Sequence, residues 1–559
     1  MNRRSFITIT GAALGTALLH PPTMADGNST NHTQISTPDT VTALIDGKLV
    51  ELTSQDGKTW QNQGVAAFLS AHGANTHIAI QAPRGALSTV TLSWKIPIRS
   101  SAKILNDHWE RTYGDISWHS PSTSEILPWY FLERDGKATN GFGVKTGAAT
   151  FCYWKILGEE LQLTLDTRSG SQGVVLGDRI LHAAEIVTLR GHESESAFQA
   201  AQRFMKLMCD KAHMPKAPVY GINDWYFSYG DTSEKLILQH TAMMAPLTEG
   251  LSNRPFSVID AGWFKGNPAQ IDDCCWGDDM KNPDEKFPDM GALAHKIKRM
   301  DMRPGIWTRP LCGSYKDAKS LLLPSVPGRD NPNKPVLDPS IPENLNRIKD
   351  YFKLYNQWGY EMVKFDFTSD DIFGKWGFEM LRDGRMTDSD WRMYDNSKTN
   401  AEIILELYKT IRAAAGETYI IGCNTISHLS AGLFELNRIG DDTSGLKWET
   451  TLKMGVNTLA FRGIHHGTFY AADADCVGLT TKVPWNKNKQ WMELLARSGT
   501  PMFISAQPDA TGPEQKSFLK KCFEIASKPQ ALCEPLDWME TPTPSHWKLD
   551  GKKQSFNWS

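Results

Sequence analysis

The chain has 559 residues, 40% of them hydrophobic and 22% charged, and its 60 basic side chains nearly cancel its 63 acidic ones to leave a net charge of −3. That length suits two or three domains, one of them able to form a barrel of about 250 residues. With no basic excess to grip a phosphate backbone, the balance argues against nucleic acid as a partner.

At the N-terminus, the twin arginines Arg3-Arg4 precede a short apolar stretch over 7–19 that is rich in Ala and Gly. Thr23-Met24-Ala25 offers a small-residue cleavage site. Residues 1–25 therefore read as a Tat-type signal peptide, which predicts a periplasmic or secreted protein. No later apolar run approaches the roughly 18 residues of a membrane helix, so no stable membrane insertion is expected after signal cleavage. Residues 26–37 read as an Asn/Thr/Ser-rich linker.

From 38 to 189 the pattern is one of short strands. Stretches 76–81, 87–93 and 161–166 alternate apolar and polar residues, the period-2 signature of a half-buried strand. With a helix predicted over 193–208, residues 38–205 read as an all-β sandwich. After Pro215 short apolar strands alternate with amphipathic helices. The predicted strands are 219–227, 256–259, 302–307, 362–365, 419–422, 433–439, 469–476 and 502–505, with helices over 290–300, 343–358 and 400–415 among them. Eight strand-then-helix units predict a catalytic (β/α)8 TIM barrel over 215–525. A doubly wound open sheet would place a Gly-rich loop after its first strand; here the strand runs into Trp225-Tyr226-Phe227-Ser228. Residues 530–559 read as a short β-rich C-terminal extension.

There are 19 Trp residues and nine Cys. Trp offers a broad apolar face and an N–H donor, which suits sugar rings as well as a barrel core. Folding in a reducing cytosol before export predicts mostly reduced thiols, with the vicinal pair Cys274-Cys275 the one candidate disulfide. No C-x-x-C or H-E-x-x-H motif occurs, and neither a metal nor another cofactor is expected.

Barrel active sites form at the C-terminal ends of the strands. Asp260, Lys364 with Asp366, Cys423, Arg438 with Asp441-Asp442, and Asp473 with Asp475 stand at or just past those ends. Any one such acid also works as a turn former or helix cap. As a set they fit glycoside hydrolysis, which needs two carboxyl groups across one bond. Asp366 and Asp442, two strands apart, can approach within about 5–6 Å, as a retaining pair requires. Lys364 shares a strand face with Asp366 and adds a positive charge beside it. Arg438 offers a planar fork to a sugar hydroxyl, and Asp442 is expected to carry the raised pKa of a proton donor.

These segments resemble the clan D glycoside hydrolases, families 36 and 27, the α-galactosidase-like enzymes. The resemblance rests on Asn223-Asp-Trp225, Phe256-Ser-Val-Ile-Asp-Ala-Gly-Trp263, Trp276, Lys286-Phe-Pro-Asp289, Met302-Arg-Pro-Gly-Ile-Trp307, Val363-Lys-Phe-Asp366, Arg438-Ile-Gly-Asp-Asp442 and 498–505, in that order over about 217–510. It implies a retaining, exo-acting hydrolase of α-linked sugars with Asp366 as nucleophile and Asp442 as acid/base, Asp441 being the fallback. It further implies that Asp260, Trp276, Lys364, Cys423 and Arg438 hold the sugar, that Trp225 walls it, and that Asp107 and Trp109 reach over from the sandwich. The partner would be an oligosaccharide, polysaccharide or glycoconjugate.

The chain departs from that pattern in two places. Many relatives carry paired acids where this chain has Asp260-Ala261, and losing one carboxylate removes a charge-assisted hydrogen bond of about 1.5–3 kcal/mol. It also ends with little of the usual C-terminal β domain. Alternatives are therefore a clan relative with changed sugar choice (an α-N-acetylgalactosaminidase, β-arabinopyranosidase or α-glucan hydrolase), or a catalytically silent carbohydrate-binding protein. An exported oxidoreductase is disfavoured by the lack of a G-x-G-x-x-G motif after a strand.

Overall fold

A computed structural model describes residues 35, 37–266, 274–277, 279–314, 316–329, 334–387 and 390–559. The expected signal peptide and most of the linker lie outside the described residues. Two antiparallel sheets come first, one of six strands and one of seven, drawn from Thr40 to Leu189. They face each other: the Trp154 ring of one sheet meets Phe131 and Phe142 of the other at 6.0 and 6.3 Å between centroids. The three strands anticipated from alternation lie within Asn75–Ala82, Leu87–Trp94 and Glu160–Asp166.

A helix, Ala197–Met208, leads out of these sheets. It starts later than its apolar pattern suggests because Ser196 and Gln199 close a capping box, each side chain bonded to the other's backbone N–H. Its Phe204 lies flat on the sheet only because Gly141 has no side chain, since a Cβ there would sit 2.7 Å from the ring.

The rest of the chain winds nine parallel strands: β1 (Tyr220–Asn223), β2 (Phe256–Ile259), β3 (Arg303–Thr308), β4 (Met362–Phe365), β5 (Tyr419–Gly422), β6 (Leu436–Arg438), β7 (Ala471–Asp473), β8 (Cys476–Leu479) and β9 (Met502–Ala506). Their order in the sheet is β7-β6-β5-β4-β3-β2-β1-β9-β8. Apolar residues of β2, β4, β5, β6, β7, β8 and β9 meet in one cluster, separate from the layer that packs under the helices. The sheet curls around that cluster. Its two edge strands, β7 and β8, are joined directly through Ala474 and Asp475.

That break corrects the single strand expected over 469–476. Asp475 adopts a left-handed backbone, φ 70°, and its carboxylate is held from three sides. It accepts the Tyr226 hydroxyl, the Thr443 N–H at 2.8 Å and the Thr443 hydroxyl at 2.9 Å, and it faces Arg438 at 3.1 Å. These bonds repay the cost of a non-glycine residue in that region. β1 is likewise shorter than expected. Trp225 N–H turns back to the Asn223 side chain at 2.8 Å, and the chain coils into the helical turn Trp225–Ser228.

The C-terminal residues form a three-stranded sheet, Glu534–Pro535, His546–Leu549 and Lys552–Ser555. Buried tryptophans anchor it on both layers. Trp538 meets Trp118, Phe198 and Phe461, at 5.4–5.6 Å between centroids, and the Trp448 indole donates to the Trp558 carbonyl at 3.0 Å. No helix of the described residues is long and apolar enough to cross a membrane. None of the nine cysteines is in a disulfide; Cys274 and Cys275 bring their sulfurs to 3.7 Å.

Candidate active site

A cavity of about 310 Å3 opens at the C-terminal ends of the parallel strands, and Asp366, Asp441 and Asp442 share its wall. On β4, Met362 faces the inner cluster, and the period-2 alternation turns Lys364 and then Asp366 the same way. Past Asp366 the chain turns sharply through Phe367, φ 65°, into the helical segment Thr368–Phe373. Asp366 is thereby fixed at the rim. It accepts the Phe367 N–H at 2.8 Å and the Trp307 indole N–H at 3.4 Å.

Lys364 does not bond to Asp366. Its ammonium donates to Asp260 at 2.7 Å, and Asp260 also accepts Asn223 at 2.6 Å. Burial disfavours the Lys364 charge, but Asp260 beside it keeps the group's pKa well above the ordinary lysine value. The floor of the cavity is thus a fixed ion pair between β2 and β4.

The lining around Asp441 and Asp442 is built from two parts of the chain. Arg438, at the end of β6, holds Asp442 at 3.2 Å; Asp442 also accepts the Trp225 indole N–H at 3.2 Å. Arg111, from a loop between the antiparallel strands, holds Asp441 at 2.6 Å. Both guanidinium groups reach the Cys423 sulfur, Arg111 at 3.4 Å and Arg438 at 3.7 Å. The Arg111 loop is pinned by backbone bonds on both sides: Thr112 N–H to Ile439 at 3.0 Å, and Asp441 N–H to Thr112 at 2.9 Å. Buried Glu110 adds a further clamp, accepting Gly377 N–H at 2.9 Å as well as Ser369 and Asn424.

The adjacent acids titrate in opposite directions. Burial raises the Asp441 pKa and Asp442 beside it raises it further, more than Arg111 offsets. Burial acts on Asp442 too, but Arg438, Arg111 and Lys364 together hold its carboxyl below the ordinary value. The raised pKa expected of Asp442 thus belongs to Asp441. The surrounding cations decide this, because the Asp442 side chain is still 44% exposed to the cavity. Among the described residues no group of three or more His, Cys, Asp or Glu side chains is disposed to hold a metal ion.

No protein-family model matches the sequence, and no curated protein matches it. Solved structures do. The α-galactosidase TtGalA of Thermus thermophilus, in complex with p-nitrophenyl α-D-galactopyranoside, aligns with a TM-score of 0.58 at 16% identity, over 92% of this chain and 98% of its own. The family 36 α-galactosidase AgaB of Geobacillus stearothermophilus gives 0.57 at 12% identity, over 87% and 74%. AgaA of the same bacterium gives 0.55 at 13%, over 87% and 75%. The chain has an α-galactosidase-like fold of the family 36/27 clan.

Within that α-galactosidase-like fold the anticipated residues divide into groups. Asp366, Asp442, Asp441, Asp260, Lys364 and Trp225 line one cavity. Cys423 and Arg438 are fully buried behind it. Trp276 lies in the neighbouring cavity, stacked on Arg309 at 4.3 Å. Asp473 is buried in the break between β7 and β8, accepting Asp475 N–H at 3.0 Å, and burial pushes its carboxyl up to about 6. Asp107 and Trp109 do not reach the cavity. Asp107 pairs with buried Arg462 at 2.8 Å, and Trp109 packs against Trp129 and Phe151.

The same loop sends Arg111 and Tyr113 in their place. These two, with Trp307, Trp376 and Phe378, went unrecognised in the sequence. Trp307 is the one the strand-end rule could have found, since it stands next to the end of β3.

Arg111 stabilises the ionised forms of Asp441 and Asp442. Removing it must raise the pH at which the pair loses its protons. Arg111→Ala is therefore expected to move the carboxyl carbon NMR titration of these two residues upward in pH. A downward shift would contradict the placement of Arg111.

Proposed function

We propose that the chain is a retaining, exo-acting glycoside hydrolase of α-linked sugars, α-galactosidase-like, working by double displacement. The observation that carries this reading is that Asp366 and Asp442 line one cavity of about 310 Å3. We read the curled sheet as a (β/α)8 barrel over 215–525 whose seventh strand is broken at Asp475, with the β-sandwich over 38–205 and the β extension over 530–559 as separate domains. TtGalA, solved with stachyose at a TM-score of 0.53, supports an oligosaccharide substrate.

In this reading Asp366 attacks the anomeric carbon and forms a glycosyl ester. The Phe367 N–H and the Trp307 indole N–H orient it. Asp442 protonates the leaving oxygen and then activates water. A sugar filling the cavity removes water from the 44% of the Asp442 side chain that is exposed. Burial of that kind raises a carboxyl pKa, so the bound substrate itself prepares the proton donor. Asp260, Lys364 and the Trp225 face bind the sugar, while Cys423 and Arg438 support them from behind. Ala261 on the cavity wall favours the second reading, a clan relative with changed sugar choice, because a methyl group replaces a hydrogen-bonding carboxylate there.

A screen of aryl α- and β-glycosides with the purified mature protein tests the reading. Turnover is expected on aryl α-glycosides, weakly on the simple galactoside. Asp366→Ala should lower it by about 10^4-fold or more. Asp442→Ala should slow poor leaving groups most, and azide should partly restore it. Full activity of the Asp366 variant would exclude that residue as nucleophile. If the leaving-group dependence follows Asp441→Ala instead, the acid/base role passes to Asp441.

The Arg3-Arg4 pair supports export by the Tat route to the periplasm or beyond. Changing both to Lys should leave the precursor in the cytoplasm. Mature protein outside the inner membrane after that change would exclude the route.

A further inference from the structure

A second cavity, of about 320 Å3, adjoins the first and shares with it Cys275 and Phe367. It lies over the ends of β2, β3 and β4, where Trp276, Arg309 and Asp370 follow those strands. None of the residues around the acid/base lines it: Trp225, Asp441 and Asp442 belong to the first cavity alone.

Its polar groups are held in advance. Arg309 is 7% exposed and donates to Asp371 through Nε at 3.1 Å and through Nη2 at 2.6 Å. Its guanidinium lies between two rings, 4.3 Å from the Trp276 centroid and 3.9 Å from that of Phe367. Asp370, next along, has its backbone N–H tied to Asn424 at 3.1 Å. Asp370 lines the cavity, and burial, with Asp371 beside it, pushes its carboxyl up to about 7. Aromatic surface with a few polar groups among it is the usual lining of a small-molecule pocket and suits a sugar ring.

Position decides what such a sugar would be. The leaving-group oxygen must stand at the acid/base, after β6. The second cavity lies over the ends of β2, β3 and β4, so that β4, which carries Asp366, stands between it and β6 in the sheet. A group held there is attached to the sugar that stays on the nucleophile, not to the one that leaves. Ala261, on the first cavity's wall, presents a methyl group that asks for no free hydroxyl.

We propose that the second cavity is a glycosyl subsite on the non-leaving side of the scissile bond, so that the protein acts on a sugar which itself carries a further sugar and releases a disaccharide. This rests on the assignment of Asp366 and Asp442 above. The bond broken is still the glycosidic bond at the first cavity, and water still supplies the new hydroxyl, so the balance of the reaction is unchanged.

The test compares p-nitrophenyl α-galactoside with the p-nitrophenyl α-glycosides of the 1,3-, 1,4- and 1,6-linked digalactosides, and p-nitrophenyl α-glucoside with the α-maltoside and α-isomaltoside. At least one disaccharide glycoside is expected to show kcat/KM about tenfold or more above its parent, with intact disaccharide as the first product. In Asp370→Ala that ratio should fall about fivefold or more, and Asp370→Asn guards against a folding defect. Hydrolysis of the monosaccharide glycosides alone, or removal of only the terminal sugar, overturns the subsite and leaves the hydrolase reading intact. Calorimetry with the free disaccharides separates the remaining case. If no aryl glycoside turns over, the hydrolase reading fails; the subsite fails with it unless a disaccharide binds about tenfold tighter than its monosaccharide and Asp370→Ala abolishes the difference.

Discussion

The active-site wall depends on two guanidinium groups meeting at one sulfur. Arg438 comes from the parallel sheet and Arg111 from the antiparallel layer, and Cys423 lies between them. Each arginine carries one of two neighbouring acids, Asp442 and Asp441. Buried ion pairs contribute little net stability when their desolvation is counted, but losing one partner is expensive. The arrangement therefore ties the two layers to a single geometry. If the Arg111 loop moved away, Asp441 would lose its cation and Cys423 one of its two donors.

The surrounding bonds make that geometry hard to leave. Glu110 clamps the loop on one side of Arg111, and Thr112 joins it to the chain after β6 on the other. Elsewhere in the cavity lining, the Lys364–Asp260 pair joins β4 to the end of β2. The position of Asp366 is thus set by strand geometry within one sheet, whereas the positions of Asp441 and Asp442 are set by docking between layers. That division explains why one carboxylate is held by neutral N–H donors and the others by cations.

The sequence was most legible where structure is local. β2, β4 and β5 are short apolar runs whose ends are marked by Asp260, Lys364-Asp366 and Cys423, and the fold places them where the pattern says. The break between β7 and β8 was not legible, because the backbone of Asp475 is decided by Tyr226, Thr443 and Arg438, which are distant in sequence. The family resemblance pointed to Asp107 and Trp109 as the residues that cross over from the sandwich. Which side chains point outward depended on how the loop docks, and docking turned Arg111 and Tyr113 into the cavity instead. Trp276 lies in the adjoining cavity, where its ring meets Arg309.

The proposed pairing of Asp366 with Asp442 has one direct chemical consequence. If Asp366 attacks from one face and water later follows the path opened by Asp442, two inversions cancel. NMR of the first-formed sugar from an aryl α-glycoside, recorded before mutarotation, reads this directly. The account predicts the α anomer first. A β anomer first would mean a single displacement, and would contradict the assignment of Asp366 as nucleophile.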